Sequence, residues 1–346
     1  MRHRTTIAVD LAKAVFAVAI SRRPGRIDQE LRLSRAKFVE FLARQAPAVV
    51  VIEACGSAHY WARQLLSCGH TPVLLPPQYV RPYVRRNKTD AADARALLEA
   101  YRDQQLKAVA PKTVEQQALT SLHRLRSTWM KTRTARLNAL RGVLRELGVT
   151  IPVGAHHVLP RLNAVLAADL CPVPAVLHSH LLALAAEIRV LEQHVRNAER
   201  ELERAAVEIP AVCRFLTMPG VGILTATALF AFCGDLSRFT TGRHFASSLG
   251  LTPRESSSGQ RRRLGSISHR GDAYLRTLLI HGARSVLLAA KRLERPDRLR
   301  AWALRLERSA GHNKAAVALA NKLARIAWAL DTSHRQFAPV YLDQAA

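Results

Sequence analysis

The chain runs to 346 residues, 49% of them apolar, which is enough to bury two or three separate cores and too apolar for a disordered polypeptide. Its 52 lysines and arginines stand against 26 aspartates and glutamates, a formal net charge of +26. Such an excess repels itself unless a polyanion neutralises it, and it carries the counterion-release term that dominates nucleic-acid affinity, so a merely soluble basic surface is the poorer explanation.

The opening, Met1-Arg-His-Arg-Thr-Thr, passes into Ile7-Ala-Val-Asp, an apolar run cut short and lacking a small-residue cleavage site, so no secretory signal is expected. Apolar stretches elsewhere are broken by Arg, His or Glu short of the roughly 20 residues a bilayer span needs, which predicts a cytoplasmic protein with no membrane partner. From about residue 5 to 110, short β-branched runs (Thr6-Ile-Ala-Val, Val15-Phe-Ala-Val-Ala-Ile, Ala48-Val-Val-Val-Ile, Thr71-Pro-Val-Leu-Leu) alternate with helical stretches at Ala36 to Arg44 and Ala58 to Leu66, the second stopped by Gly69. This predicts an α/β domain over 1–112.

Between Val114 and Leu147, apolar residues recur at helical spacing among basic ones, a long basic helix. Beyond Pro172 and Pro174 a second helix carries Leu181, Leu184, Ile188, Leu191, Val195, Ala198 and Leu202 at alternating steps of three and four, a heptad seam closed by Pro210. The seam must pack on a partner, either the first long helix or another protomer. Residues 113–210 are thus expected as a long helical coiled-coil linker, and 211–346 as a mostly α domain with helices at Leu224 to Phe232, Ala273 to Ala289 and Lys314 to Leu330. The five cysteines (Cys55, Cys68, Cys171, Cys213, Cys233) have no paired-ligand spacing, so neither a zinc site nor a disulfide framework is expected, and they read as small buried apolar residues.

Three features carry chemistry. Asp10 and Glu53 each close an apolar strand, a costly place for a carboxylate without a counter-ion, and Asp90 and Asp93 are three apart in Asn87-Lys-Thr-Asp-Ala-Ala-Asp-Ala-Arg, on one face of a helix that starts there. Four such oxygen donors in one pocket would suit one or two Mg2+ ions, or Mn2+, with positions left open for phosphate. Taken singly, Asp90 also reads as a helix N-cap and Glu53 as the partner of an arginine. Pro219-Gly-Val-Gly runs straight into a helix, a helix-hairpin-helix-like turn whose glycines would let backbone donors approach a phosphate; a plain tight turn between packed helices is the alternative. Finally, the loop-like stretch from Gly250 to Gly271 is rich in Ser, Gly and Arg. Arg254, Arg261, Arg262, Arg263, His269, Arg270 and Arg276 could neutralise a phosphate there, so the loop reads as a nucleic-acid-binding segment or as the seat of a nucleophilic serine.

These motifs together, Ala8-Val-Asp-Leu-Ala-Lys, Val51-Ile-Glu-Ala-Cys-Gly-Ser, the Asn87 segment, Pro219-Gly-Val-Gly and Gly250-Leu-Thr-Pro-Arg through Ser258-Gly259, resemble the DEDD transposases of bacterial insertion sequences, the IS-110 family, over nearly the whole chain. The resemblance implies an RNase H-like (RuvC-like) N-terminal domain, metal-binding acids at Asp10, Glu53, Asp90 and Asp93, and a nucleophile at Ser258, with Ser256 and Ser257 as adjacent hydroxyls. Where the family often has Lys, this chain has His269, which carries less charge at neutral pH. The resemblance further implies donor and target DNA as substrates, a structured non-coding (bridge) RNA whose base pairing supplies the sequence, a nucleoid-associated homo-oligomer of two to four protomers, and the acidic domain of one protomer meeting the serine domain of another. Two rivals remain at this level: a RuvC-like metal-dependent nuclease or junction resolvase without covalent serine catalysis, and an RNA-binding protein that does no chemistry.

Overall fold

In the computed structural model the described residues are 5–23, 26–84, 89–103 and 106–340; Asn87 and Lys88 of the third motif lie outside them. The chain divides into two compact units, one ending at Glu115 and the other beginning at Gln116. Among the described residues no helix is long and apolar enough to cross a membrane.

The first unit is built on a five-stranded mixed sheet. Its strands are β1 (Thr6–Asp10), β2 (Val15–Ser21), β3 (Gln29–Ser34), β4 (Val49–Glu53) and β5 (Thr71–Leu75), in the order β3-β2-β1-β4-β5. The first three form an antiparallel meander, and β4 and β5 add parallel to β1 and to each other. Strand alternation sorts the side chains into two cores. On one face Ile7, Val9, Phe16, Val18 and Ile52 pack against α1 (Arg35–Arg44) and α2 (Ala58–Ser67), where Phe16 meets Phe38 and Trp61 edge-on at 5.1 Å each. On the other, Ala8, Ala17, Ala19, Val49 and Val51 receive α4 (Asp90–Arg102), which follows the short α3 (Pro77–Val80). The alanines on this face have short side chains, so α4 can lie close to the sheet. Gly69 ends α2 with φ +79, as the sequence leads one to expect. β3 is not anticipated, because in Gln29-Glu-Leu-Arg-Leu-Ser only Leu31 and Leu33 face a core, while Glu30 and Arg32 alternate with them towards α4.

Among its described residues the second unit is helical apart from one small hairpin. Its long helices are α5 (Val114–Glu146) and α7 (Ala175–Glu208), joined through α6 (Val158–Leu166). α5 and α7 run antiparallel, since residue numbers rise on one as they fall on the other along the ion pairs Arg126–Glu199 (2.6 Å), Arg133–Glu192 (2.6 Å) and Arg136–Glu187 (2.7 Å), with Trp129 stacked on His194. Leu181, Ile188, Val195 and Leu202 of the seam are buried, whereas Leu184 and Leu191 are half-buried, because the middle of the helix pair is bridged by charge rather than by leucine. The buried part of the seam is therefore covered within the chain, and that stripe is not free to receive a second protomer. Pro210 is the first residue of the next helix rather than part of α7, whose last residue is Glu208.

The remaining helices, α8 (Pro210–Leu216), α9 (Ile223–Cys233), α10 (Gly242–Ser248), α11 (Ala273–Ala290), α12 (Arg298–Ala310) and α13 (His312–Ser333), share one core with Leu119 of α5 and Leu202 of α7. The Pro219-Gly-Val-Gly turn divides its glycines between two tasks. Gly220, at φ +72, abuts the backbone of Gly282 on α11 so closely that a Cβ on either residue would strike the other's carbonyl, whereas Gly222, ahead of α9, has open space around it. Gly220 therefore serves helix packing rather than approach to a phosphate. The five cysteines are thiols outside any disulfide; Cys233 is buried, while Cys68 and Cys213 are exposed, against the expectation of small core residues.

A buried polar knot ties three of these helices. His123 of α5 is fully buried, with its ring nitrogens 3.0 Å from the hydroxyls of Tyr274 (α11) and Thr227 (α9). Thr227 donates to the carbonyl of Ile223 (2.6 Å), which leaves it to accept from Nε2–H, so Nδ1 accepts from Tyr274 and the ring is neutral. Burial lowers the His123 pKa to about 4, and burial raises that of Tyr274.

Two outcomes are expected. Because the unfolded chain takes up the His123 proton near pH 6.5 and the folded chain only near 4, the stabilisation is complete above the former and lost as pH falls toward the latter, on the order of 3 kcal/mol in all. Denaturant midpoints across this window should show a flatter pH dependence for His123→Gln than for the wild type; an unchanged slope would assign the titration to another group. Gly220→Ala or Gly282→Ala should cost about 2 kcal/mol or more, and Gly222→Ala less than about 1, in the same assay.

Candidate active site

Asp10 is the last residue of β1 and Glu53 the last of β4. These strands are parallel neighbours with Val9 beside Ile52, so the two half-buried carboxylates leave the sheet next to each other at its carboxyl end. Alternation puts Asp10 on the side of Ala8 and Glu53 on that of Val51, the face covered by α4. Thr89 is the N-cap of α4, its hydroxyl accepting the N–H of Ala92 at 3.2 Å. The capping role open to Asp90 is thereby filled, and Asp90 and Asp93 stand in the first turn, where the helix dipole favours acids.

Asp93 is half-buried, and Asp90 is exposed and paired with Arg32 of β3 at 3.2 Å. Arg32 lies opposite Ala17, which lies opposite Asp10, so the guanidinium shares the face of the acids two strands away. Between β2, β3 and the start of α4 is a cleft of about 340 Å³ lined by Ala17, Glu30, Arg32, Asp90 and Ala94. The fold thus assigns all four acids to one side of the sheet. It does not draw them into a cage: among the described residues no group of three or more Asp, Glu, His or Cys is close enough to hold a metal ion. The all-carboxylate donor set nonetheless fits a hard divalent cation and not a thiol- or imidazole-seeking one.

The serine segment is a hairpin rather than an irregular loop. β6 (Pro253–Glu255) and β7 (Leu264–Ile267) pair antiparallel with one register shift. Nearer the tip Ser258 and Arg261 exchange backbone hydrogen bonds of 3.3 and 3.1 Å around Gly259 and Gln260, with Gly259 at the positive φ (+55) that this two-residue turn needs. Directly opposed residues point to the same face, so Ser258 and Arg261 share one. Ser257 is occupied: its hydroxyl donates to Glu255 (2.8 Å) and accepts the Arg263 N–H (3.2 Å), while Glu255 also pairs with Arg262 at 3.3 Å. Ser258 is exposed and its hydroxyl has no hydrogen-bond partner among the described residues; the same holds for Ser256.

Arg261 and Arg263 are exposed without an acidic partner among the described residues, Arg270 is exposed, and Arg254 reaches the Ser268 carbonyl at 3.3 Å. His269 is exposed in a left-handed backbone conformation (φ +56). Arg276, grouped with these cations by sequence, is 8% exposed and bonded to the carbonyls of Leu249 and Arg270, so its charge is spent on the hairpin's own supports. Sequence reasoning missed Arg32, which lies in the unanticipated strand, and the role of Glu255. Glu255 did carry a signal, as the one acid between Gly250 and Gly271.

Two family models match the chain. One, described as a transposase, covers residues 7–149 and so includes Asp10, Glu53, Asp90 and Asp93; the other, the transposase IS116/IS110/IS902 family, covers 213–299 and includes the serine hairpin. The chain is 42% identical to a probable family 20 transposase of Pseudomonas aeruginosa, across 94% of its own length and 96% of that protein. It is 37% identical to the transposase for insertion sequence element IS1111A of Coxiella burnetii (97% and 92% covered), and 36% identical to that for element IS1328 of Yersinia enterocolitica (97% and 99%).

Proposed function

Since this chain belongs to the IS116/IS110/IS902 family of insertion-sequence transposases, we propose that it cuts and rejoins DNA through a covalent link to Ser258, assisted by a divalent cation at Asp10, Glu53, Asp90 and Asp93. The observation that supports Ser258 over its neighbour Ser257 is its hydroxyl, exposed and unpartnered among the described residues and opposite Arg261, while that of Ser257 is held by Glu255; the choice over Ser256, whose hydroxyl is also unpartnered among the described residues, rests on the family resemblance.

In this reaction the Ser258 oxygen bonds to phosphorus as the bond to one deoxyribose oxygen breaks; the serine proton passes, overall, to the departing oxygen. Attack by another deoxyribose hydroxyl then reverses the step and joins new strands. Arg261 and Arg263, with Arg254, His269 and Arg270 around them, would neutralise the phosphate that the hydroxyl approaches. Magnesium or manganese at the four acids would supply charge neutralisation at the reacting phosphate. Asp10 and Glu53 are side by side already, whereas Asp90 must leave Arg32 to join them.

The meander continued by two parallel strands, with helices on both faces, supports an RNase H-like (RuvC-like) reading of residues 1–112, and the antiparallel α5 and α7 support a coiled-coil reading of 113–210 ahead of a catalytic 211–346. Guidance by a bridge RNA, assembly into two to four protomers and association with the nucleoid complete the proposal. The charge of +26 supports a nucleic-acid partner of either kind.

The test is denaturing electrophoresis of protein incubated with labelled substrate DNA. Ser258→Ala should abolish covalent protein–DNA adducts and Ser257→Ala should retain them. Adducts surviving in Ser258→Ala would move the nucleophile elsewhere, and hydrolysed ends without adducts from the wild type would favour a metal-dependent nuclease or junction resolvase.

A further inference from the structure

We propose that Arg276 is a positioning residue that sets the serine hairpin by clasping both its ends, and is not one of the cations that grip DNA; its effect on reaction rests on Ser258 being the nucleophile. Arg276 lies in the first turns of α11, whose N-cap is Asp272, and its side chain is buried. A single nitrogen, Nη1, donates to the carbonyl of Leu249 at 3.0 Å and to that of Arg270 at 2.8 Å. Leu249 caps the C-terminus of α10 immediately before the hairpin, and Arg270 stands three residues before α11 begins. One guanidinium therefore holds the incoming and outgoing chain together.

The location is costly for a cation and specific to this task. The N-terminal turns of a helix disfavour positive charge, and Arg276 has no carboxylate partner among the described residues. What it satisfies are carbonyls at the end of α10 and the base of the hairpin, one of them an orphan left by helix termination. The surrounding backbone is equally committed. A Cβ on Gly250 would strike the Arg270 backbone, and one on Gly271 would strike the Ser248 carbonyl, so the two ends touch main chain to main chain beside the guanidinium.

The hairpin acts as a lever on this base. Ser258 is nine residues beyond Leu249, at most roughly 30 Å if the chain were fully extended, so a tilt of about 3° at the base moves its hydroxyl by up to about 1.5 Å. A misplacement of about that size is enough to slow a positioned reaction on the order of 100-fold.

Full-length Arg276→Ala and Arg276→Lys should be compared with Arg261→Ala for DNA affinity as a function of salt, for the rate of adduct formation, and for hydrogen exchange at the Ser256 and Ser268 amides, which bond across the hairpin to Arg263 and Thr252. Arg276→Ala should keep the wild-type affinity within about threefold and the wild-type salt slope, where Arg261→Ala lowers the slope by about one. Its adduct rate should fall on the order of 100-fold, with part recovered in Arg276→Lys, and exchange at the two amides should rise about tenfold or more while α13 is unchanged. A salt slope lowered by about one in Arg276→Ala, or hairpin exchange that stays at the wild-type rate, would overturn the clasp. Should the alanine variant not fold, the lysine variant carries the same comparison. Should Ser258→Ala still form adducts, the nucleophile assignment fails, while the exchange data continue to decide the clasp on their own.

Discussion

The acidic site depends on one register. β1 runs parallel to β4 with Val9 beside Ile52, and only in that pairing do Asp10 and Glu53 finish adjacent strands on the same face. A slip of a single residue would turn every side chain of one strand over, sending one carboxylate into the aromatic core around Phe16, Phe38 and Trp61, where an unpaired charge is prohibitive. The same alternation places alanines at 8, 17 and 19 under α4, and their small size is what lets the helix bearing Asp90 and Asp93 settle over the strand ends. The packing of both faces and the placement of the acids are thus consequences of one hydrogen-bonding pattern.

A parallel logic operates in the serine hairpin, although the currency there is charge rather than burial. Period-two alternation gives the segment two faces, and its one acid stands on the face that also carries Ser257 and Arg262. Glu255 consumes that serine and that arginine. The opposite face keeps Ser258 with Arg261, unneutralised, so a phosphate approaching it meets cations that have not already found a carboxylate. Arranging opposite charges on one side of a ribbon is a simple way to leave the other side reactive.

The sequence was most legible where periodicity carries the information. Four of the five strands, the two long helices and the acids at the strand ends all follow from apolar spacing, because burial on one face imposes that spacing. β3 escaped because an edge strand needs only two inward leucines, and its charged alternates look like loop. Arg276 was misplaced for a different reason: composition records that a residue is cationic, and only the fold shows whether the charge faces water or the carbonyls of its own chain. Gly220 followed the same course, since a glycine needed for backbone contact with Gly282 and one needed for phosphate approach are identical in sequence.

That distinction bears on the net charge of +26 itself, which by composition alone is a uniform attraction for any polyanion. The fold spends it unevenly. Arg126, Arg133 and Arg136 are absorbed by glutamates along α7, Arg141 by the carbonyls of Ile151, Pro152 and Gly154, and Arg214 by Asp331. Arginines used in this way release few counterions when DNA arrives, whereas Arg261 and Arg263 of the hairpin, exposed and without an acidic partner among the described residues, have most to gain from a phosphate. The salt dependence of DNA binding should therefore follow the cations that the fold has left unpaired, Arg261 and Arg263 among them, rather than the total that the composition gives.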